Sequence, residues 1–301
     1  MSSLRLGILS DLHRTTNPQE WHEFHNEYDF GEHPRRIASA LSWFEQEAVE
    51  ALVLCGDLTH GSNERAMIAV LGECAALEVP VIAVSGNHDV AHGEDMLVRG
   101  IELLADDRLL RADPIGDLVS DIRVAGLQVA PTSGYGMSRL RALPAVEEWG
   151  EEPVVLVSHL PILSRAEAVA ARGMPHPGDL LDREQAATLV RDRSAPTIVL
   201  SGHIHVRDAH AEGPVLQLVQ SALIEPPWEA AVLDVRTDLD GGVLATRRTL
   251  RTSDRRVAHE PTLVEPVGSW RFTNGAWRAA DPEEPASPVE SSAPDPAATP
   301  L

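Results

Sequence analysis

Pro80-Val81-Ile82-Ala83-Val84-Ser85-Gly86-Asn87-His88-Asp89 is the stretch that decides how the chain folds. Val81 to Val84 is a short apolar, β-branched run, the pattern of a buried strand. It stops at a glycine followed by three side chains suited to holding metals or protons. Asn and Asp are also ordinary turn formers, so the stretch taken alone reads equally well as a polar turn. What separates the two readings is that the same design recurs along the chain.

Upstream, residues 4 to 9 form a first apolar run that ends in Ser10, Asp11, Leu12 and His13. Asp and His two apart on an extended chain point to one side, so an oxygen and an imidazole nitrogen can converge there. Pro34 opens a helix with the stripe Ile37, Leu41, Phe44 and Ala48, followed by a strand over Ala51 to Cys55 that ends in Gly56 and Asp57. Ser62 is the expected N-cap of the next helix, whose apolar face is Met67, Leu71 and Cys74. Strand, helix, strand, helix, strand at this spacing predicts a parallel βαβ arrangement.

Downstream, Val119 to Arg123 and Leu127 to Pro131 suggest a hairpin around Gly126, followed by a loop through Ser133, Gly134, Tyr135 and Gly136. Val154 to Val157 is a further buried strand, ending in Ser158 and His159. A helix from about Asp182, with Asp182 and Gln185 as a capping-box-like start, precedes the strand Thr197 to Leu200, which ends in Ser201, Gly202, His203, Ile204 and His205. Val215 to Val219, Ala230 to Val235 and Val243 to Arg247 read as antiparallel strands. Gly268 to Trp277 reads as a last hairpin turning at Asn274 and Gly275. The loop over residues 14 to 33 gathers Trp21, Phe24, Tyr28 and Phe30 with His22, His25 and His33. Either a core-capping helix or a substrate lid accounts for that content.

A hydrophobic fraction of 43% in 301 residues is enough for a sizeable core. One domain is expected over residues 1 to 280. Residues 281 to 301, rich in Pro, Ala and Ser with five acidic residues and no base, are expected to form a disordered tail. The formal charge of −21 disfavours a nucleic-acid partner, whose phosphates are held mainly by Lys and Arg. No apolar run approaches the ~18 residues needed to span a bilayer, and the opening strand is too short for a signal peptide, so no membrane association and a cytoplasmic location are expected. Cys55 and Cys74 fall on apolar faces and are expected to be buried thiols.

Asp11 with His13, Asp57, Asn87 with His88 and Asp89, His159, and His203 with His205 thus each follow a buried strand. In an open α/β sheet, ligands bind at the carboxyl ends of strands, so these groups can share one crevice. Carboxylates, imidazoles and an amide without thiolate suit Mn, Fe or Zn. Seven ligands are too many for one tetrahedral ion and fit two divalent or trivalent ions with a bridging carboxylate. Arg14, His60, Arg207 and His210 lie close by in sequence and are weaker candidates, with salt-bridge or turn roles as alternatives. His92, His176 and His259 read as surface or packing histidines.

These blocks, D11-L-H13, G56-D57, G86-N87-H88-D89, H159 and G202-H203-I-H205, resemble the motif set of the calcineurin-like metallophosphoesterase superfamily over about residues 4 to 250. The motif order looks like that of the class III cyclic nucleotide phosphodiesterases. The resemblance implies an α/β fold, a four-layer αββα sandwich of two mixed β-sheets flanked by helices. It places Asp11, His13, Asp57 and His205 on a first metal and Asp57, Asn87, His159 and His203 on a second, with Asp57 bridging. His88 would meet the substrate as general acid or charge stabiliser, oriented by Asp89. The expected activity is hydrolysis of small phosphate esters by metal-activated hydroxide, with phosphodiesterase ahead of phosphomonoesterase, nucleotidase or pyrophosphatase. A small phosphorylated substrate, with nucleotides among the candidates, is the expected partner. A noncatalytic scaffold of the same fold is the alternative from another class.

Overall fold

The computed structural model describes residues 2–132, 138–239 and 241–281. The chain opens with β1 (Ser3–Leu9), α1 (His33–Gln46), β2 (Ala51–Leu54), α2 (Glu64–Ala75), β3 (Val81–Ala83), α3 (Met96–Leu104) and β4 (Leu109–Arg111). These four strands run parallel, as the alternation of apolar runs and helical stripes predicts. A second sheet follows, built from β5 (Asp117–Val119), β6 (Ile122–Leu127) and β7 (Val154–Ser158). The helices α4 (Ala166–Ala170) and α5 (Arg183–Arg191) lead to its remaining strands, β8 (Thr197–Ser201), β9 (Asp208–Glu212) and β10 (Val215–Val219). The chain then returns to the first sheet through β11 (Glu229–Thr237), β12 (Val243–Arg251), β13 (Val267–Thr273) and β14 (Ala276–Ala280).

The result is an eight-stranded sheet in the order β14-β13-β12-β11-β1-β2-β3-β4 packed on a six-stranded sheet in the order β5-β6-β7-β8-β10-β9. Both are mixed, because each combines parallel strands with antiparallel ones. Side chains alternate across a strand, and the core divides accordingly. Leu4, Leu6, Ile8, Val53 and Ile82 face Val155, Val157, Ile198 and Leu200 between the sheets. Leu52, Leu54, Val81 and Ala83 point outward against α1 and α2 through Ile37, Phe44, Met67 and Leu71. On the other outer face, Val154, Leu156 and Val199 meet Ala186 and Val190 of α5. This is the expected αββα sandwich. Cys55 and Cys74 are buried free thiols.

Several local expectations are corrected. Val215 to Val219 does not join an all-antiparallel group: it pairs antiparallel with the edge strand β9 but parallel with β8, because the β9-β10 hairpin returns the chain between the two. The hairpin expected around Gly126 turns instead at Ser120 and Asp121, both in the left-handed region, and Gly126 lies inside β6. Its lack of a side chain serves packing, since a Cβ there would sit 2.1 Å from that of Ala112. Ser62 does not cap α2. It has a positive φ and donates its hydroxyl to the carbonyl of His88, while Asn63 accepts from the amide of Ala66 at 2.9 Å. The Asp182 carboxylate accepts from Leu140 rather than capping α5. Ala48 lies beyond α1, with a positive φ. The loop expected over 133 to 136 and the tail beyond Asp281 lie outside the described residues.

Asn63→Ala removes a cap without touching the core and should lower stability by about 1 kcal/mol. Urea unfolding followed by far-ultraviolet circular dichroism checks this, with a lower midpoint and an unchanged slope expected.

Candidate metal centre

Asp11 follows β1, Asp57 follows β2 and Asn87 follows β3, all at the carboxyl edge of the first sheet. His159 follows β7, and His203 and His205 follow β8, at the facing edge of the second. Backbone hydrogen bonds bind these loops to one another: Asp11 N–H to the Gly56 carbonyl at 3.1 Å, His13 N–H to Asp57 at 2.8 Å, and Gly202 N–H to His159 at 2.9 Å. Asp11, His13, Asp57, His203 and His205 all adopt positive φ. That conformation costs a non-glycine residue on the order of 1 kcal/mol and concentrates where a site fixes the direction of its side chains. Gly56 also has a positive φ, and at Gly86 a Cβ would lie 2.1 Å from Asp57 Oδ1, so a side chain there would displace the carboxylate.

The seven side chains converge. Asp11, His13 and His205 bring one oxygen and two nitrogens within 4.8 Å of one another, and Asp57, His159 and His203 do the same beside them. Asp57 Oδ2 lies 3.2 Å from His159 Nε2 and 3.6 Å from His13 Nε2, so a single carboxylate oxygen faces both groups. Asn87 Oδ1 is 3.1 Å from both His159 Nε2 and His203 Nδ1. Ligands about 2.1 Å from a common ion lie roughly 3–4 Å apart, which matches these separations. The donor set, carboxylate and imidazole without thiolate, suits the same ions that the residue types suggest. These residues therefore fit a pair of cations.

The surroundings complete the ligands in ways the sequence reading missed. His159 Nδ1 meets the Cys55 carbonyl at 2.8 Å, and His205 Nδ1 meets Glu225 Oε1 at 2.5 Å. Such outer partners fix the tautomer so that the other nitrogen faces the metal. Glu225 is fully buried, and its second oxygen accepts the amide of Asn26 at 2.6 Å. One carboxylate thus ties a candidate ligand to the aromatic loop. The only sequence signal was an acidic residue within the otherwise apolar run Ala222-Leu223-Ile224.

That loop is no helix. His22, Phe24 and Tyr28 line a cavity of 140 Å³ together with Asp57, His88 and Pro177. Burial raises the Tyr28 phenol well above its ordinary value, so it stays a hydrogen-bond donor. His60 borders the site, with its ring stacked on that of His88 at 5.2 Å. Arg14 is turned away, meeting His33 at 3.1 Å and Glu73 at 3.4 Å. Arg207 is buried in an ion pair with Glu229, and His210 faces Glu212 on β9.

Asp89 is fully buried. Its carboxylate accepts from the amides of Gly86, Leu58 and Thr59 and from the Thr59 hydroxyl, and none of these four donors belongs to His88. It clamps the loop after β2 to the loop after β3. Burial and the nearby Asp57 push it up to about 7, against the hydrogen bonds that favour its charge. Burial also draws His88 below the ordinary histidine value, with Asp57 opposing.

Burial opposes charge on His159, but Asp57 prevails and raises it to about 9. His205 is likewise raised to about 10, by Asp11 and Glu225. Both rings therefore hold protons at neutral pH on the nitrogens a cation needs, and uptake must displace them. Cation affinity should rise with pH toward those values. At pH 7.5, uptake of Mn²⁺ should release about two protons per chain. Calorimetry in buffers of different ionisation enthalpy measures that number.

The Metallophos family model, calcineurin-like phosphoesterase, matches residues 4–207, more than half of the chain. Among solved structures, a dimetal phosphatase from Danio rerio is similar with a TM-score of 0.55 at 17% identity, over 84% of this chain and 100% of that one. The TT1561 protein of Thermus thermophilus is similar with a TM-score of 0.54 at 13% identity, over 84% and 100%. At these identities the likeness is one of fold. No curated protein sequence matches the chain. The strand-end motifs, the two-sheet sandwich and the matched family model agree, and the chain belongs to the calcineurin-like phosphoesterases, hydrolases that act on phosphate esters.

Proposed function

We propose that the chain is a binuclear metal-dependent phosphohydrolase of small phosphate esters, and that it prefers diesters. Asp11, His13, Asp57 and His205 would hold one ion, and Asp57, Asn87, His159 and His203 the other, with Mn, Fe or Zn fitting the donors. Such a pair supplies Lewis acidity and a nucleophile at neutral pH. The protein supplies the rest. Asp57 is steadied by the His88 amide, which donates to Oδ1 at 2.8 Å. His88 borders the cavity and is placed to donate a hydrogen bond to the leaving-group oxygen. Burial draws His88 below the ordinary histidine value, so at neutral pH it would act as a neutral donor. His22, Phe24 and Tyr28 wall the cavity and limit water around the reacting group.

The observation that carries the diester preference is the lining of the cavity, which among the described residues contains no Lys or Arg. A monoester dianion at neutral pH calls for cationic side chains beyond the metals, whereas a diester carries a single charge. The noncatalytic alternative is opposed by the grouping of the candidate ligands, of which His13, Asp57, Asn87, His203 and His205 line one pocket. A polynucleotide substrate is opposed by the net charge of −21.

With Mn²⁺ added, bis-p-nitrophenyl phosphate should be turned over faster than p-nitrophenyl phosphate. Turnover of the monoester alone would overturn the diester preference. Asp57→Asn should abolish activity toward both with an unchanged circular dichroism spectrum. His88→Ala should slow turnover by about 10²–10⁴-fold while leaving metal content intact.

A further inference from the structure

His159 and His205 each rest the nitrogen that faces away from the site on an oxygen acceptor, a carbonyl and a carboxylate. His13 does not. Its Nε2 faces Asp57 and His205 Nε2, the latter at 3.4 Å, and its Nδ1 lies 3.3 Å from Nδ1 of His60. The Nε2 of His60 in turn faces Glu20 Oε1 at 3.7 Å, and Glu20 Oε2 accepts the Thr15 hydroxyl at 3.0 Å. The backbone fixes this row of groups, because His60 N–H donates to the Arg14 carbonyl at 2.8 Å beside an Arg14 to Thr59 bridge.

We propose that His60 is a positioning residue for the metal site, accepting the Nδ1 proton of His13 so that His13 Nε2 is held unprotonated toward the ion. A ligating imidazole carries its one proton on the nitrogen away from the metal, and that nitrogen needs an acceptor. Here the acceptor is another imidazole. Once His60 Nδ1 accepts, its own proton must sit on Nε2, the atom that faces Glu20. The row His13, His60, Glu20 thus has a single consistent direction of donation.

His13, His60 and His88 also bring ring nitrogens within 4.8 Å of one another, the spacing of a third cation site. Occupying it through His13 Nδ1 while Nε2 ligates would leave that ring with no proton at all. The three contain no carboxylate to offset the charge. Outer support for His13 needs neither condition.

The inference rests on His13 being a ligand, as the proposed function requires, and the test separates the two. Mn²⁺ binding is measured by calorimetry and by metal analysis on the full chain as wild type, His60→Leu and His60→Asn, with thermal melts to confirm folding. The wild type should bind two ions. His60→Leu should bind two with one weakened by about 10–100-fold, the usual cost of losing an outer partner. His60→Asn, whose Oδ1 falls near the place of Nδ1, should recover most of that loss, which a merely structural role would not predict. Should His60→Leu bind both ions as the wild type does, or His60→Asn bind no better than His60→Leu, the positioning role is overturned. Three ions in the wild type and two in His60→Leu would make His60 a ligand and overturn it also. A wild type that binds no ion would end the metal reading itself.

Discussion

The position of the Asp57 carboxylate is the constraint on which the rest of the site depends. It is buried, with Oδ1 on the amide of His88 and Oδ2 between His159 and His13. Those partners come from the loops after β3, β7 and β1, so one side chain draws both sheets together at their carboxyl edge. A buried carboxylate needs compensating charge or hydrogen bonds. Burial works to raise Asp57, and the surrounding histidines overcome this and hold it well below the ordinary carboxylate value. The interaction that pins the sandwich edge is therefore the same one that gathers the candidate ligands.

The cost of this arrangement lies in the backbone. Left-handed φ values at Asp11, His13, Asp57, His203 and His205 are unfavourable locally and are sustained by the hydrogen bonds that stitch the loops together. Asp89, placed beneath these loops with four donors around its carboxylate, supplies much of that stitching. Fixing the ligand directions before any cation arrives reduces what binding must spend on ordering them.

Most of the sandwich was legible in the sequence because strand alternation is a short-range signal. Leu4-Arg5-Leu6 and Val81-Ile82-Ala83 carry their facing in their own spacing, and Asp57, His159 and His203 stand directly after such runs. What escaped was set by packing between distant segments. Val215 to Val219 has the same apolar pattern whether it pairs parallel or antiparallel, and the hairpin before it decides. Gly126 reads as a turn from sequence, yet it is needed where Ala112 and Val84 press across the sandwich. Glu225 bears on the centre only through a loop folded over it, and for His60 and Tyr28, candidates from the sequence, the partners they meet are set by that same folding. The carboxylate of Asp89 joins the amides of Leu58 and Thr59 to that of Gly86 in its own loop, a set of contacts between separate segments that no local pattern marks.

The central proposal is that the residues gathered around Asp57 would hold two ions. Electron paramagnetic resonance of the full chain loaded with Mn²⁺ tests it most directly. At full loading a bound pair should give the broad, multiline spectrum of exchange-coupled ions, whereas the six-line spectrum of isolated ions at every loading would contradict a paired site.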